Sequence, residues 1–265
     1  MNKKDKNKYG KEDKKLEDVC FGKNATVSFI EEHPERCLSV YIAENANKST
    51  YNKILALSKS KGIPCHKVPR EYLDKQTSYS NHQGVMVKIT SLDIFEIGKL
   101  HEIVNEHNKG PLLFVVLDRV EDVQNFSSII RTAEVLGASG VVFPKRRSVL
   151  PTGTVLKVSS GAAARLPLIR VNSIFNTLEV IKSKNLWVVG LDMEGESLCS
   201  MDLPERLAIV VGGEDRGLTR TVKNSCDELA KIPMSGKTGS LNAAVAASIG
   251  IYEWRRSVDK LQQAR

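Results

Sequence analysis

Short apolar runs alternate with amphipathic stretches along most of this chain. LSVYIA (38–43) and GVMVKI (84–89) read as strands, and PCHKV (64–68) as a shorter one. Between them, Thr50 to Lys61 has helical spacing with Ile54, Leu55 and Leu57 on its buried side, and Asn24 to Glu32 and Arg70 to Lys75 read as further helices. Strands spaced by helical patterns argue for a small α/β unit over 19–90. Ser91 to His107 reads as helix and Asn108-Lys109-Gly110-Pro111 as chain-breaking sequence, so 91–111 is assigned as a linker. LLFVVLD (112–118) is then the uninterrupted apolar run of a strand covered on both faces, followed by a helix with Phe126, Ile129, Ile130 and Ala133 on one stripe. VVFP (141–144), LPLI (166–169), LWVVGL (186–191), LAIVVG (207–212) and LAKIP (229–233) continue the series, with helices between and a long alanine-rich helix after. The pattern over 112–265 predicts a mostly parallel, doubly wound sheet. Ligands of such sheets sit beyond the carboxyl ends of strands, here Asp118, Gly190-Leu191, Gly212 and Ile232.

Composition adds bounds. The 265 residues suffice for two domains, and 41% hydrophobic residues suffice for their cores. No apolar run approaches the about 20 residues of a membrane helix, and the start has no apolar segment of a secretory signal, so the sequence predicts a soluble, cytoplasmic protein, or an organellar one in a eukaryote. Cys20, Cys37, Cys65, Cys199 and Cys226 form no C-x-x-C pair, and the five histidines show no ligand spacing. Neither a disulfide frame nor a metal site is expected. Net charge is +8, which admits a polyanionic partner. Residues 1–18 carry seven lysines against five acids and read as a disordered basic tail. Lys145-Arg146-Arg147, directly after a predicted strand, reads either as a solvated loop or as a nucleic-acid contact.

The richest chemistry lies between Leu207 and Arg256, where two small-residue loops follow two strands within a short span. Loops that bare suggest one small molecule gripped through peptide groups. Familiar glycine codes do not account for them. Gly236-Lys237-Thr238 resembles the end of a phosphate-binding loop, but its first glycine position holds Lys231 and no helix starts at the lysine. Gly212-Gly213-Glu214-Asp215-Arg216-Gly217 lacks the dinucleotide spacing, and its two acids would repel a pyrophosphate. A G-x-S-x-G nucleophile elbow is also missing. An acidic glycine loop suits a cofactor carrying positive charge, such as the sulfonium of S-adenosylmethionine.

Three ordered motifs then carry a resemblance: Asn125 and Arg131 in VQNFSSIIRTAE, Gly212-Gly213-Glu214-x-x-Gly217, and Ile232-Pro233-Met234 followed by Ser240-Leu241-Asn242. They resemble the motifs of the SpoU/TrmH family, RNA ribose 2′-O-methyltransferases of the SPOUT superfamily. Phe21-Gly22 through Ala25 and His82-Gln83-Gly84 are similar to the family's N-terminal RNA-binding extension. That combination is most similar to the branch that methylates guanosine in bacterial large-subunit ribosomal RNA. The resemblance implies an α/β fold with a small, L30e-like RNA-binding domain ahead of a methyltransferase domain tied in a deep trefoil knot. It also implies a homodimer, S-adenosylmethionine as cofactor and ribosomal RNA as substrate; a tRNA substrate or a non-catalytic RNA-binding relative are the alternatives. By the same match, Gly190, Gly212, Ile232, Met234 and Leu241 would contact the cofactor, and Asn125, Arg131, Glu214, Ser240 and Asn242 would form the polar catalytic set.

Each residue keeps a plainer reading. Asn125 could cap the helix after Asp122, and Ser240 is an obvious cap for the final helix. Glu214 could pair with Arg216, Arg131 could be a surface residue, and His82-Gln83-Gly84 could be a turn into a strand. Ser127 stands where the family has a glycine.

Overall fold

The computed structural model describes residues 19–90, 92–214, 216–237 and 239–263; the predicted basic tail lies outside them. The first unit comprises β1 (Val19–Phe21), α1 (Lys23–Glu32), β2 (Cys37–Ala43), α2 (Lys48–Ser60), β3 (Cys65–Val68), α3 (Arg70–Gln76) and β4 (Val85–Ile89). Its four strands lie in the order β1-β4-β2-β3, with β3 parallel to β2 and the other pairings antiparallel. Alternating apolar positions bury Val40, Ile42, Val85 and Val87 against Ile30 of α1 and Ile54 of α2. Asn47 starts α2 by accepting a bond from the Ser49 amide at 2.9 Å.

His82-Gln83-Gly84 is a structural lock. The His82 ring is buried, and its Nδ1 accepts the Gly84 amide at 3.0 Å, which leaves Nε2 to face the Asp74 carboxylate at 2.8 Å. Gln83 Oε1 accepts the Lys23 amide, satisfying an orphan donor at the start of α1. Both ring nitrogens of His82 are thus engaged within the turn.

The second unit is a seven-stranded, wholly parallel sheet in the order β11-β9-β10-β6-β7-β8-β5. Its strands are β5 (Ile94–Phe95), β6 (Leu112–Asp118), β7 (Gly140–Pro144), β8 (Leu168–Val171), β9 (Trp187–Ser197), β10 (Arg206–Gly212) and β11 (Glu228–Lys231). One face is covered by α5 (Val123–Val135), α6 (Gly153–Val158) and α9 (Ala243–Gln263), the other by α4 (Ile97–Glu106), α7 (Ile174–Ser183) and the short α8 (Arg220–Lys223). All seven residues of β6 are buried, as a central parallel strand requires. On α5 the predicted stripe of Phe126, Ile129, Ile130 and Ala133 is wholly buried, with Phe126 edge-on to Phe143 at 5.3 Å. Ser127 is buried there too, its hydroxyl without a hydrogen-bond partner, so the site accepts the extra atoms only by leaving one polar group unsatisfied.

The segment expected as a linker is built into this second unit instead. Ile94 and Phe95 pair with Leu168 and Ile169, and α4 inserts Leu100, Ile103 and Val104 into the core. A two-residue edge strand gives no periodic signal, so the whole stretch read as one helix.

Arg170 of β8 braces the two units. It is buried, and its guanidinium donates to the Cys37 carbonyl at 2.6 Å and the Leu38 carbonyl at 3.4 Å, across from β2. Burial pushes this guanidinium below the ordinary arginine value and the neighbouring Cys37 thiol up to about 12. Arg170→Met keeps the bulk but strands the carbonyls, and a loss of about 1–3 kcal/mol in urea unfolding is expected. Unchanged stability would show that the brace contributes nothing.

Candidate functional site

The strand order reverses between β6 and β10, the position at which parallel α/β sheets open a crevice. There Asp118 and Gly212 are registered partners at the carboxyl ends of the two strands. The Asp118 carbonyl accepts the Gly213 amide at 3.0 Å, and its carboxylate accepts the Thr219 amide at 2.8 Å. Gly217 then donates back to the Gly213 carbonyl at 3.0 Å, closing the acidic turn into a tight loop. A Cβ on Gly212 would run into the returning backbone of Gly217 and Leu218. Backbone cannot yield as a flexible side chain can. Gly212→Ala is therefore expected to force the turn open, costing at least tenfold in methyl-donor affinity by calorimetry; wild-type affinity would remove this turn from the site.

Three predicted polar residues meet above that turn. Asn125 Nδ2 donates to Glu214 Oε1 at 2.5 Å, and Asn242 Nδ2 donates to the same oxygen at 2.7 Å and to Asn125 Oδ1 at 2.9 Å. Asn242 Oδ1 in turn accepts the amides of Ala244 and Val245, at 2.9 and 3.2 Å. Asn242, rather than Ser240, is thus the cap of α9. Asn125 caps nothing: Asp122 caps α5 and accepts the Asn125 amide at 2.8 Å. Glu214 binds these two amides and forms no ion pair with Arg216 among the described residues. Residues far apart in sequence are joined in one clasp whose single carboxylate oxygen takes two amide donors.

The acidic turn, with Gly213, Glu214 and Gly217 in both linings, lies between two clefts. One, of about 310 Å³, is glycine-lined and mostly apolar, with Leu191, Val211, Ile232, Met234 and Leu241 among its walls and Ser240 at its rim. Four predicted cofactor residues, Gly212, Ile232, Met234 and Leu241, line it. Gly190 does not. Its missing side chain is required by packing against Cys226, Leu218 and Leu229, and Leu191, Asp192 and Met193 are the residues of β9 that line the cleft. The other cleft, of about 480 Å³, holds Arg119, Arg147 and Arg216 together with Asn125 and the carboxylates of Glu121, Asp122 and Glu214. Arg119 and Arg147 adopt left-handed backbone, φ 63° and 54°. Such a conformation costs a non-glycine residue about 1–2 kcal/mol. Nothing in the sequence pattern marked Arg119; left-handed turns after strands carry no periodic signature.

Arg131 lies apart. It is exposed on α5 and lines neither cleft, as its plainer reading in the sequence has it. It falls on a different helix face from Ile129, Ile130 and Ala133, sharing the outer stripe of Ser128 and Val135. Within the basic run, Lys145 turns inward toward Glu96 at 3.4 Å, whereas Arg146 and Arg147 are exposed. Arg165 is paired with Glu134 at 2.7 Å. Among the described residues no cluster of metal-ligating side chains occurs, and no helix is long and apolar enough to cross a membrane.

Comparison with known proteins agrees with this geometry. The SpoU rRNA Methylase family model matches residues 112–252, and a model described as RNA 2′-O ribose methyltransferase substrate binding matches residues 19–95. YacO of Bacillus subtilis, named for the TrmH family of tRNA/rRNA methyltransferases, is 40% identical over 89% of this chain and 94% of its own. The 23S rRNA (guanosine-2′-O-)-methyltransferase RlmB of Xylella fastidiosa is 37% identical over 88% and 93%. Among solved structures, the SpoU methyltransferase AviRb from Streptomyces viridochromogenes in complex with AdoMet shares the fold, with a TM-score of 0.56 and 23% identity over 92% of this chain and 90% of that one. The chain belongs to the SpoU rRNA methylase family.

Proposed function

We propose that this protein transfers a methyl group from S-adenosylmethionine to the ribose 2′-hydroxyl of a guanosine in large-subunit ribosomal RNA. The observation that carries the reading is the clasp of Asn125, Glu214 and Asn242 beside the turn that parts an apolar, glycine-lined cleft from one lined by three arginines and three carboxylates. The first cleft fits the cofactor. Its apolar walls suit an adenine, its bare glycine backbone offers peptide donors and acceptors, and the acidic turn suits a sulfonium. Gly212, Ile232, Met234 and Leu241, with Leu191, would hold it. When bound, S-adenosylmethionine supplies an electrophilic methyl group and needs no metal.

The chain's own residues then have two tasks. A ribose hydroxyl must be held in line and helped to shed its proton. Asn125 and Asn242 fix the Glu214 carboxylate, and Ser240 at the cleft rim completes a set of polar groups that orients the nucleophile. Arg131 stabilises the alkoxide that develops as the hydroxyl's proton passes to solvent water.

Because Arg131 stands outside both clefts, this assignment requires a second chain. We assign a homodimer through the outer faces of α5 and α9. Val135, Val245 and Tyr252 are 70%, 46% and 55% exposed there, and Val245, Ile249 and Tyr252 line a groove that ends at Asn125 and Asn242. Such an apolar ridge suits an isologous interface. The C-terminal segment after β10 is assigned the trefoil knot of the superfamily, and the unit over 19–90 the choice of RNA. Methyl transfer to an unmodified large-subunit rRNA transcript, with the product mapped for ribose methylation, tests the reading; modification of a base alone would refute it.

A further inference from the structure

Beyond the cleft that holds Asn125 and Glu214 a second depression of about 330 Å³ opens beside the first turn of α7. Arg119, Arg146 and Arg147 line it, and Phe175 stands in its wall, 41% exposed. A large aromatic left on the surface beside three guanidinium groups has no use in packing: Ile174, Leu178 and Ile181 already fill the buried face of α7. Among the described residues none of the three arginines is in an ion pair, and the one carboxylate in the lining, Asp118, is bonded to the Thr219 amide. Arg119 and Arg147 line both depressions, so the two form one trough leading away from Asn125 and Glu214. At its far side Arg146 reaches toward the first unit. There its charge, after burial, lowers the His66 imidazole from its ordinary value, and His66 stacks on Tyr41 at 5.1 Å.

We propose that this trough binds the unpaired nucleotide adjoining the methylated one, its base stacked on Phe175 and its phosphodiester held by Arg119 and Arg147. The inference rests on the reading of the protein as an RNA ribose methyltransferase. The chemistry is specific to single strands. Only an unstacked base offers its face to an aromatic ring, and sequence-tolerant recognition combines such stacking with guanidinium contacts to phosphate. The backbone adds a second indication. Arg119 and Arg147 occupy left-handed positions where glycine is at ease, so removing their side chains relaxes the chain rather than straining it.

That property sets the test. The full-length protein is titrated with an unmodified large-subunit rRNA transcript over a salt series, and S-adenosylhomocysteine binding is measured in parallel. The double variant Arg119→Gly, Arg147→Gly is expected to weaken RNA binding and reduce the slope of log K against log salt by about 0.7, one phosphate on a single strand. Phe175→Ala is expected to lose roughly 5- to 150-fold in affinity with the slope unchanged, and Phe175→Trp to restore it. S-adenosylhomocysteine affinity should stay at the wild-type value in all three, and the melting temperature should not fall below wild type in any. Wild-type RNA affinity in Phe175→Ala, or an unchanged slope in the glycine double, overturns the proposal. If instead the wild-type protein methylates no ribose, the functional reading falls on its own, and the binding data still decide whether the trough holds RNA.

Discussion

Arg131→Ala is expected to reduce methyl transfer by about a hundredfold or more, the range seen when a charge-stabilising group is removed, while S-adenosylmethionine binds within about twofold of wild type. The split follows from position: Arg131 is on the outer stripe of α5, away from the apolar cleft, so its loss leaves the donor's walls untouched. The same position makes a stronger claim. If Arg131 serves the partner subunit's clasp, mixing Arg131→Ala chains with Asn242→Asp chains builds heterodimers with one complete site each. Random exchange would restore about a quarter of all sites. Two inactive homodimers that stay inactive after exchange would place Arg131 in its own chain's site or outside the reaction. Tyr252→Asp, which puts a charge on the ridge, should yield monomers lacking activity.

Asn242→Asp separates structure from chemistry at the clasp. Aspartate caps a helix as well as asparagine, so the bonds to the Ala244 and Val245 amides survive and the melting temperature should move by no more than a few degrees. The lost group is the amide that donates to Glu214 and Asn125. In its place a carboxylate stands 2.7 Å from Glu214 Oε1, where two like charges repel. One of the two carboxyls then takes up a proton or both swing apart. Either result disorders the group proposed to orient the ribose, and methyl transfer should fall by about a hundredfold or more. Turnover near wild type at an unchanged melting temperature would reduce Asn242 to a helix cap.

Periodicity made the framework readable. Central parallel strands such as β6 and β10 are continuous apolar runs because both their faces are covered, and α5 repeats its stripe at helical spacing. Ordered motifs located the clasp, since Asn125 and Glu214 follow the ends of β6 and β10 at the crevice and Asn242 opens α9 against them. What stayed hidden depends on partners distant in sequence. Gly190 looked like a ligand glycine because the apolar run ends there, but β9 continues to Ser197 and Leu218 and Cys226 fill the space beside Gly190. Ser240 outranked Asn242 as a cap because both are good capping residues two positions apart, and only the loop path decides between them. Arg131 shared its sequence neighbourhood with core residues, yet 100° per residue carries it to solvent. Arg119, Arg147 and Phe175 belong to no periodic pattern, and only folding brings them to one trough.

The most direct test is a crystal structure of the protein soaked with S-adenosylhomocysteine. The account predicts its adenosine between Leu191, Ile232, Met234 and Leu241, against the backbone of Gly212, with the sulfur turned toward Glu214 and the Asn125–Asn242 pair. A ligand bound elsewhere, or a crevice that stays closed by its own side chains at saturating ligand, would contradict it.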